Sequence, residues 1–295
     1  MPYITIFGIL KKSFSFFLRQ GFFLENLTFC DTHIHLSRSM PLTVGSEYFC
    51  VTSCHVREDF DISGGILPFP RSGLSRFAGE RMAPPASAGA FFSFGIHPQA
   101  VSPSFMGGGF HDSMSFLESL LRDGKIAAVG ECGFDFFTPG LRASAMEQES
   151  VFDAQLSLAL RYGFPMILHL RKSIEKIFSY SKELRKLPAV VFHSFPGTLR
   201  EALSLLDHGL NAFFSFGKPI LNGKKSAVDC VGKLPVGSIL LETDSPYQRL
   251  RDEDETRPDD IVRVYERAAL LRGMGMEELS CELRRNFFSA FRPGL

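Results

Sequence analysis

The hydrophobic positions of this chain fall into eight short runs, most of them followed by a polar turn and a longer amphipathic stretch. Most runs are continuous rather than alternating, which is typical of parallel strands buried on both faces. They lie at Leu27–Asp31, Tyr48–Ser53, Ala90–Gly95, Ile126–Gly130, Pro165–Leu168, Ala189–Phe192, Asn211–Phe216 and Ser238–Leu241. Eight strands that alternate with helices predict the α/β class and a (β/α)8 TIM barrel.

Helical periodicity is clearest in three of the connecting stretches. EQESVFDAQLSLALRY places its apolar residues on one stripe, and TLREALSLLDHGL stops at a His–Gly pair. PDDIVRVYERAALLRG begins with Pro and acids and ends with Arg and Gly, which suits helix caps and the helix dipole. The connection from Cys54 to Gly89 is rich in Pro, Gly, Ser and Arg, and it predicts an irregular excursion.

Length and composition fit one barrel domain. The chain has 295 residues, 45% of them hydrophobic, and a (β/α)8 barrel typically takes about 250 residues. We expect the barrel at 27–295, after an N-terminal extension, 1–26, to which the sequence gives no role. The net charge is zero, whereas a protein that grips duplex nucleic acid is usually basic. A nucleic-acid role would therefore depend on a local site.

Cysteine usage and the N-terminal pattern indicate a compartment. The six cysteines form no CxxC pair, which predicts buried, reduced thiols and a reducing environment. No apolar run is long enough to span a bilayer. Lys11 and Lys12 follow the first apolar run, whereas a signal peptide places its charges before it. We therefore expect a cytoplasmic protein without a membrane partner.

Metal-ligand types of side chain follow the predicted strands at the end where barrels build active sites. They are Asp31, His33, His35, His97, Glu131, Asp135, His169, His193, Glu242 and Asp244. Because alternate residues of a strand share a face, Asp31, His33 and His35 are expected to point the same way. Each side chain alone fits a structural role, but together they would be costly to desolvate unless a cation binds them. The convergence therefore favours a divalent metal centre.

The number of ligands indicates two ions. Four histidines with Glu131 and Asp244 are too many for one tetrahedral site. A bridging carboxylate with ligands on each side fits two metals about 3.5–4 Å apart, the spacing of dinuclear hydrolytic sites. We expect two divalent ions of the Mg, Mn or Zn type; imidazole favours the latter two. The implied chemistry is hydrolysis by an activated water.

Seven motifs resemble, in order and spacing, the signatures of TatD-type metal-dependent hydrolases, deoxyribonuclease-like members of the amidohydrolase group. They are CDTHIHL, FGIHPQ, VGECGFDFF, VFDAQLSLALRYGFPMILHLR, FHSFPG, LLETDSPY and NFFSAF. The resemblance runs from about Phe29 to Phe291 and implies a single TIM-barrel hydrolase domain at 27–295. It also implies an exonuclease-like deoxyribonuclease that cleaves phosphodiester bonds of a DNA or nucleotide substrate.

The resemblance implies a role for each site residue. The implied metal ligands are His33, His35, Glu131, His169, His193 and Asp244. His33 and His35 would hold one ion together with Asp244. His169 and His193 would hold the other ion, and Glu131 would bridge the two ions. Asp244 would also orient the attacking water and accept its proton. Arg171 would meet a substrate phosphate, since guanidinium suits phosphate oxygens. His97 would contact the phosphate or assist the leaving group, and Asp135 would support the site by hydrogen bonding.

The loop after the last strand departs from the family pattern. It reads RLRDEDETRPDD, which is acidic and lacks the usual Asn, and HSFPG replaces the more usual HCFSG. No predicted ligand is lost.

Two alternatives stay open. The first is a metal-dependent hydrolase of another ester or amide, including an aminoacyl-tRNA ester. Many amidohydrolases bridge their metals with a modified lysine, whereas the fourth strand here offers Glu131, which disfavours the amide-cleaving subtype. The second is a non-catalytic metal-binding barrel.

Overall fold

Eight parallel strands pair in chain order, which confirms the predicted barrel. They are β1 (Thr28–Ile34), β2 (Glu47–Cys54), β3 (Ala88–Phe94), β4 (Ala128–Asp135), β5 (Met166–Arg171), β6 (Val190–Phe192), β7 (Ala212–Phe216) and β8 (Ile239–Leu241). The computed structural model describes residues 27–35, 47–55, 57 and 88–291. The predicted extension at 1–26 and most of the excursion between Cys54 and Gly89 lie outside the described residues.

The first strand lies beside the segment that follows the last strand. Thr32 Oγ1 donates to the Leu241 carbonyl at 3.1 Å. The Asp244 N–H donates to the carbonyl of His33 at 2.9 Å, and the His35 N–H donates to the carbonyl of Ser245 at 2.8 Å. These bonds bring the two ends of the sheet together and place Asp244 next to His33 in β1 and His35 directly after it.

In the described residues that follow β3, helices alternate with the strands. They are α1 (Pro103–Gly107), α2 (Gly109–Arg122), α3 (Pro139–Ala143), α4 (Ala145–Tyr162), α5 (Ile174–Ser179), α6 (Ser181–Leu184), α7 (Leu199–Asp207), α8 (Lys225–Lys233), α9 (Ile261–Arg272) and α10 (Met276–Phe291). The three helices predicted from periodicity are confirmed as α4, α7 and α9. A capping box between Thr198 and Glu201 begins α7, and glycines in the left-handed conformation end α4 and α9.

The amino-terminal end of the barrel is closed by α10. Phe287 and Phe291 pack into a buried cluster with inward-facing strand residues such as Phe49 and Ile167. Ser280 Oγ donates to the Thr28 carbonyl at the start of β1. Since apolar packing fills this end, the polar side chains of the strands gather at the opposite, carboxyl end.

Three strands run at least three residues further than the hydrophobic pattern predicts. β1 continues to Ile34 instead of Asp31, β4 to Asp135 instead of Gly130, and β5 to Arg171 instead of Leu168. The β4 backbone still pairs with β5 beyond its apolar residues, with Gly133 opposite His169. Glu131 therefore lies inside a strand, and the strand fixes its position.

The cysteines largely match the prediction. Cys30, Cys50, Cys54, Cys132 and Cys230 are free and buried. The prediction is wrong for Cys281, which is free but exposed because it lies on the outward side of α10. Among the helices of the described residues, none is long and apolar enough to cross a membrane.

Candidate metal centre

Six histidines and two carboxylates meet at the carboxyl end of the barrel. They are His33, His35, His55, His97, Glu131, His169, His193 and Asp244. In the described part of the chain they form four overlapping groups of three, and the ligand atoms of each group lie within 4.8 Å of one another. The structure thus brings together all six predicted metal ligands and His97.

Glu131 occupies the middle of this cluster. Its Oε1 lies 2.7 Å from His169 Nδ1 and 3.5 Å from His97 Nε2. Its Oε2 lies 3.2 Å from His33 Nε2 and 3.8 Å from His55 Nε2. Each carboxylate oxygen therefore faces a different set of imidazoles, which is the arrangement a bridging ligand requires.

The Glu131 carboxyl is held in its ionised form. Its side chain is 4% exposed, and burial acts to raise its pKa. The charges of His193 and His33 and hydrogen bonds from His169 and His33 outweigh burial, so the pKa lies well below its usual value. An ionised carboxylate buried among imidazoles attracts a cation.

Two glycines allow Glu131 to approach β5. Gly130 and Gly133 have φ values of +147° and +139°, which side chains rarely adopt. A Cβ at Gly130 would lie 2.5 Å from the Ile167 carbonyl oxygen, and one at Gly133 would overlap the carbonyl of His169. The GECG sequence therefore brings the carboxylate of β4 within reach of the imidazole of β5.

Asp244 lies across the cluster from β4. Its Oδ1 is 3.5 Å from His35 Nε2 and 3.7 Å from His33 Nε2, and its Oδ2 is 3.7 Å from His193 Nε2. Gln248 Nε2 donates to Oδ2 at 2.8 Å. Burial acts to raise the pKa of Asp244, but the charge of His193 and a hydrogen bond from His35 lower it overall.

His193 is oriented by a carboxylate behind it. Its Nδ1 donates to Glu242 Oε2 at 3.1 Å, while Glu242 Oε1 accepts the Ser194 N–H at 2.9 Å. This leaves His193 Nε2 facing Glu131 and Asp244. Burial acts to lower the pKa of His193, but the three carboxylates raise it to about 10. A carboxylate behind an imidazole is the usual support of a metal-ligating histidine.

His169 has a carboxylate at each ring nitrogen. Nδ1 faces Glu131, and Nε2 lies 3.4 Å from Asp135 Oδ2. Burial acts to lower the pKa of His169, but hydrogen bonds to Asp135 and Glu131 raise it to about 9. Asp135 also accepts hydrogen bonds from Gln99 Nε2 and the Phe137 N–H. Its oxygens are thus engaged by protein donors, in agreement with the predicted supporting role.

The hydrogen bonds of His97 define its tautomer. Its Nδ1 accepts the Gln99 N–H at 3.2 Å, so in the neutral ring the proton lies on Nε2. That Nε2–H faces Glu131 Oε1 at 3.5 Å. His97 is therefore arranged as a hydrogen-bond donor into the site, while its Nδ1 is already used by the backbone.

His33 in β1 and His35 directly after it fit a cation most closely. His33 Nε2 lies 3.1 Å from His35 Nε2, and both face Asp244. His33 Nδ1 is buried without a hydrogen-bond partner, and burial together with the charge of His193 lowers the pKa of His33. A neutral imidazole whose Nε2 faces another Nε2 and a carboxylate is a ready metal ligand.

Asp31 does not join its two histidines, so the expectation that all three side chains point to one place is wrong. Its carboxylate accepts hydrogen bonds from Tyr48 Oη at 2.9 Å, the Thr243 N–H at 2.9 Å and Thr243 Oγ1 at 2.6 Å. The register of β1 against β2 shifts between Asp31 and Ile34, which re-aims side chains along the strand. Asp31 instead fastens β1 to the segment that carries Asp244.

Arg171 lies at the rim, outside the four groups. It is the last residue of β5 and is exposed. Its guanidinium carbon lies 3.6 Å from the centre of the Phe137 ring. The structure therefore places it where a substrate could approach.

Sequence reasoning missed His55 and gave no role to Glu242, Gln99 or Gln248. His55 directly follows β2, as His193 directly follows β6, and that position was a usable signal. Its Nε2 faces Glu131, and burial lowers its pKa to about 3. The glutamines act through the tertiary fold and leave no local pattern.

The acidic loop that departs from the family pattern is bound to this chain's own cations. The Lys218 side chain is fully buried and pairs with Glu253 and, at 2.7 Å, with Asp260. Arg263 contacts the same two acids at 2.7 Å and 2.9 Å. These two acids therefore anchor the loop to Lys218 and Arg263.

The fold and the rim together define a class: parallel (β/α)8 barrels that gather histidines and carboxylates at the carboxyl end for hydrolytic chemistry. A family model described as TatD related DNase matches residues 77–292. The chain therefore belongs to the TatD-related DNase family, and the resemblance drawn from its motifs is confirmed.

Individual relatives agree with this assignment. An Escherichia coli K12 protein named uncharacterized metal-dependent hydrolase YjjV is 29% identical over 271 residues, covering 89% of this chain and 97% of its own. The crystal structure of YjjV, a TatD homologue, superposes with a TM-score of 0.69 at 25% identity, over 89% of this chain and 97% of that one. A Pantoea ananatis protein named 3'-5' ssDNA/RNA exonuclease TatD is 31% identical over 199 residues, covering 65% of this chain and 74% of its own.

Proposed function

We propose that this chain is a metal-dependent phosphodiesterase that removes nucleotides from an end of single-stranded DNA. The observation that carries the proposal is the position of Glu131, an ionised carboxylate whose two oxygens face different imidazoles at the barrel mouth. A relative named as a single-strand exonuclease supports the choice of bond and substrate.

The donor set fits two divalent ions. The proposed ligands are His33, His35, Glu131, His169, His193 and Asp244. The proposal rests on the opposed Nε2 atoms of His33 and His35, on Asp244 Oδ1 facing both of them, and on the central carboxylate of Glu131. When bound, such a pair activates water at neutral pH and neutralises charge that develops on the phosphate.

The chain's own residues would position the reactants. Asp244, with one oxygen held by Gln248, would orient the attacking water and accept its proton. His97, with its proton on Nε2, would donate to the substrate phosphate or to the leaving oxygen. Asp135 and Glu242 would keep the imidazoles of His169 and His193 in orientation. Arg171 would contact a phosphate further along the strand.

A labelled-oligonucleotide assay tests the proposal. With Mg²⁺ or Mn²⁺, wild-type protein should shorten a 5′-labelled single strand step by step, and chelation should stop it. Glu131→Gln and His33→Asn should lose at least a hundredfold of the activity, because each removes a ligand without changing side-chain size much. His111→Asn, on the exposed surface of α2, is the matched control and should keep it. Equal cleavage by all four proteins would overturn the proposal.

A substrate panel separates the alternatives. Wild-type protein should turn over the oligonucleotide faster than a carboxylic ester, a lactone, an amide or an aminoacyl-tRNA. Preferential turnover of one of these would replace the phosphodiester assignment. Metal binding without turnover of any of them would identify a non-catalytic barrel.

A further inference from the structure

Two exposed aromatic side chains border the metal centre. Among the described residues, the exposed large hydrophobic side chains are Phe137, Met146, Leu203, Tyr247 and Leu270. Met146, Leu203 and Leu270 lie on the outer helices α4, α7 and α9. Phe137 and Tyr247, the two aromatic members, both follow residues of the candidate site. Both rings are therefore exposed where a substrate of the centre could contact them.

Phe137 lies on the His169 side of the centre and carries two cations. Its N–H donates to Asp135, which faces His169. The Phe136 N–H donates to the Arg171 carbonyl at 2.8 Å and fixes the end of β4 against the end of β5. The Arg171 guanidinium carbon then lies 3.6 Å, and Lys172 Nζ 4.9 Å, from the Phe137 ring centre. The ring remains 43% exposed.

Tyr247 lies on the Asp244 side. Its N–H donates to the Asp244 carbonyl at 2.6 Å, and its ring centre is 5.1 Å from that of His35, nearly perpendicular to it. The side chain is 61% exposed. The two aromatic residues therefore border the centre through different partners, one beside His169 and the other beside His35.

The aromatic rings and the cations that border the metal centre suit the bases and phosphates of unpaired nucleotides. Bases stack on aromatic rings and on the guanidinium plane of arginine, and each such stack contributes to binding without reading sequence. Two positive side chains beside one of the rings suit the adjoining phosphates. A paired duplex keeps its bases inside the helix and cannot offer them to a ring. The net charge of the chain is zero, whereas proteins that grip duplex nucleic acid are usually basic.

We propose that the centre has two base-stacking subsites, which bind the unpaired nucleotides on either side of the scissile phosphate. One subsite is Phe137 with Arg171 and Lys172, and the other is Tyr247. The proposal rests on the proposed phosphodiesterase function and assigns the residues that bind its single-stranded substrate. Single-strand preference then comes from these side chains, whereas bond cleavage comes from the metal centre.

Kinetics on two matched oligonucleotides test the proposal. One is an ordinary single strand, and the other has abasic sites at the nucleotides that flank the cleaved bond. Phe137→Leu and Tyr247→Leu keep apolar bulk but remove the π face. Each should raise KM for the ordinary strand about tenfold, the effect expected for one lost stack, and leave kcat within about twofold. On the abasic strand each variant should have the KM of wild type.

Leu203→Ala and Leu270→Ala, exposed apolar positions on outer helices, are the controls and should match wild type on both strands. An unchanged KM in the two aromatic variants, or an equal rise on the ordinary and abasic strands, would overturn the stacking proposal while phosphodiester cleavage stands. Failure of wild-type protein to cleave either strand would overturn the proposed function, and the stacking proposal with it.

Discussion

Glu242 and His193 form a hydrogen bond of 3.1 Å, from His193 Nδ1 to Glu242 Oε2, at the carboxyl end of the barrel. Glu242 is fully buried and lies behind the imidazole, on the side away from Glu131 and Asp244. The pair fixes which nitrogen of His193 faces the centre. This arrangement buries the Glu242 carboxylate, and the hydrogen bond from the Ser194 N–H helps to stabilise it there.

Glu242→Gln should weaken the centre without removing a ligand. The amide can still accept from Nδ1 through its oxygen, but the negative charge that raises the pKa of His193 is lost. We expect metal affinity and activity to fall by about 10- to 100-fold, the usual effect of losing such a support. Metal titration and the nuclease assay measure this. Glu255→Gln, an exposed site on the neighbouring loop, should match wild type, and equal behaviour of both variants would contradict the role given to Glu242.

Lys218→Met should lower the free energy of unfolding far more than the loss of an exposed ion pair does. The lysine is fully buried against Glu253 and Asp260, so its removal leaves two acids short of a partner, although Arg263 remains. We expect a loss of about 3 kcal/mol in the free energy of unfolding, the low end for breaking a buried pair. Lys233→Met, which breaks the exposed pair with Asp229, should cost below about 1 kcal/mol. Denaturant unfolding compares them, and equal losses would refute the buried-pair account.

The same network predicts how stability depends on pH. Burial acts to raise the pKa of Glu253, but Lys218, the Leu250 N–H and Arg263 outweigh it and lower the pKa to about 2, from an ordinary value of 4.5. A lowered carboxyl pKa contributes stability above pH 4.5 that is lost as the pH falls towards 2.

Glu253→Gln isolates this contribution. The difference in unfolding free energy between wild type and the variant should be constant above about pH 5 and shrink steadily from there to pH 2.5. Thermal or denaturant unfolding across this range measures it. A difference that does not change with pH would mean that Glu253 titrates normally in the folded protein.

Arg171→Met separates a phosphate contact from a stacking contact. If the Arg171 guanidinium contacts a phosphate, the variant should bind single strands more weakly whatever their base sequence, because a phosphate contact does not depend on the base. The slope of log affinity against log salt should also fall by about one unit. Fluorescence anisotropy with a labelled oligonucleotide over a salt series measures this slope. A weaker affinity with an unchanged slope would assign Arg171 to stacking with Phe137 alone.

The barrel and the main ligands could be predicted because both signals are local. Continuous apolar runs report strands buried on both faces, and parallel strands bring their carboxyl ends to one rim. His33, Glu131 and His193 therefore met as expected even though they are far apart in the chain. His55 carried the same signal, one residue after β2, and was missed.

Other features could not be predicted from local patterns. The direction of Asp31 depends on a register shift between β1 and β2, which alternation does not encode. The pair between Lys218 and Glu253 joins residues that the chain places 35 positions apart. From the sequence the acidic loop appeared only as a departure from the family, and tertiary contacts give it an anchoring role.

Anomalous diffraction from crystals grown with Mn²⁺ tests the central claim most directly. We predict two peaks about 4 Å apart on either side of the Glu131 carboxylate, one beside His33, His35 and Asp244 and the other beside His169 and His193. Glu131→Gln crystals should lose at least one peak. Peaks elsewhere on the barrel, or none at these side chains in wild-type crystals that bind manganese, would contradict the account.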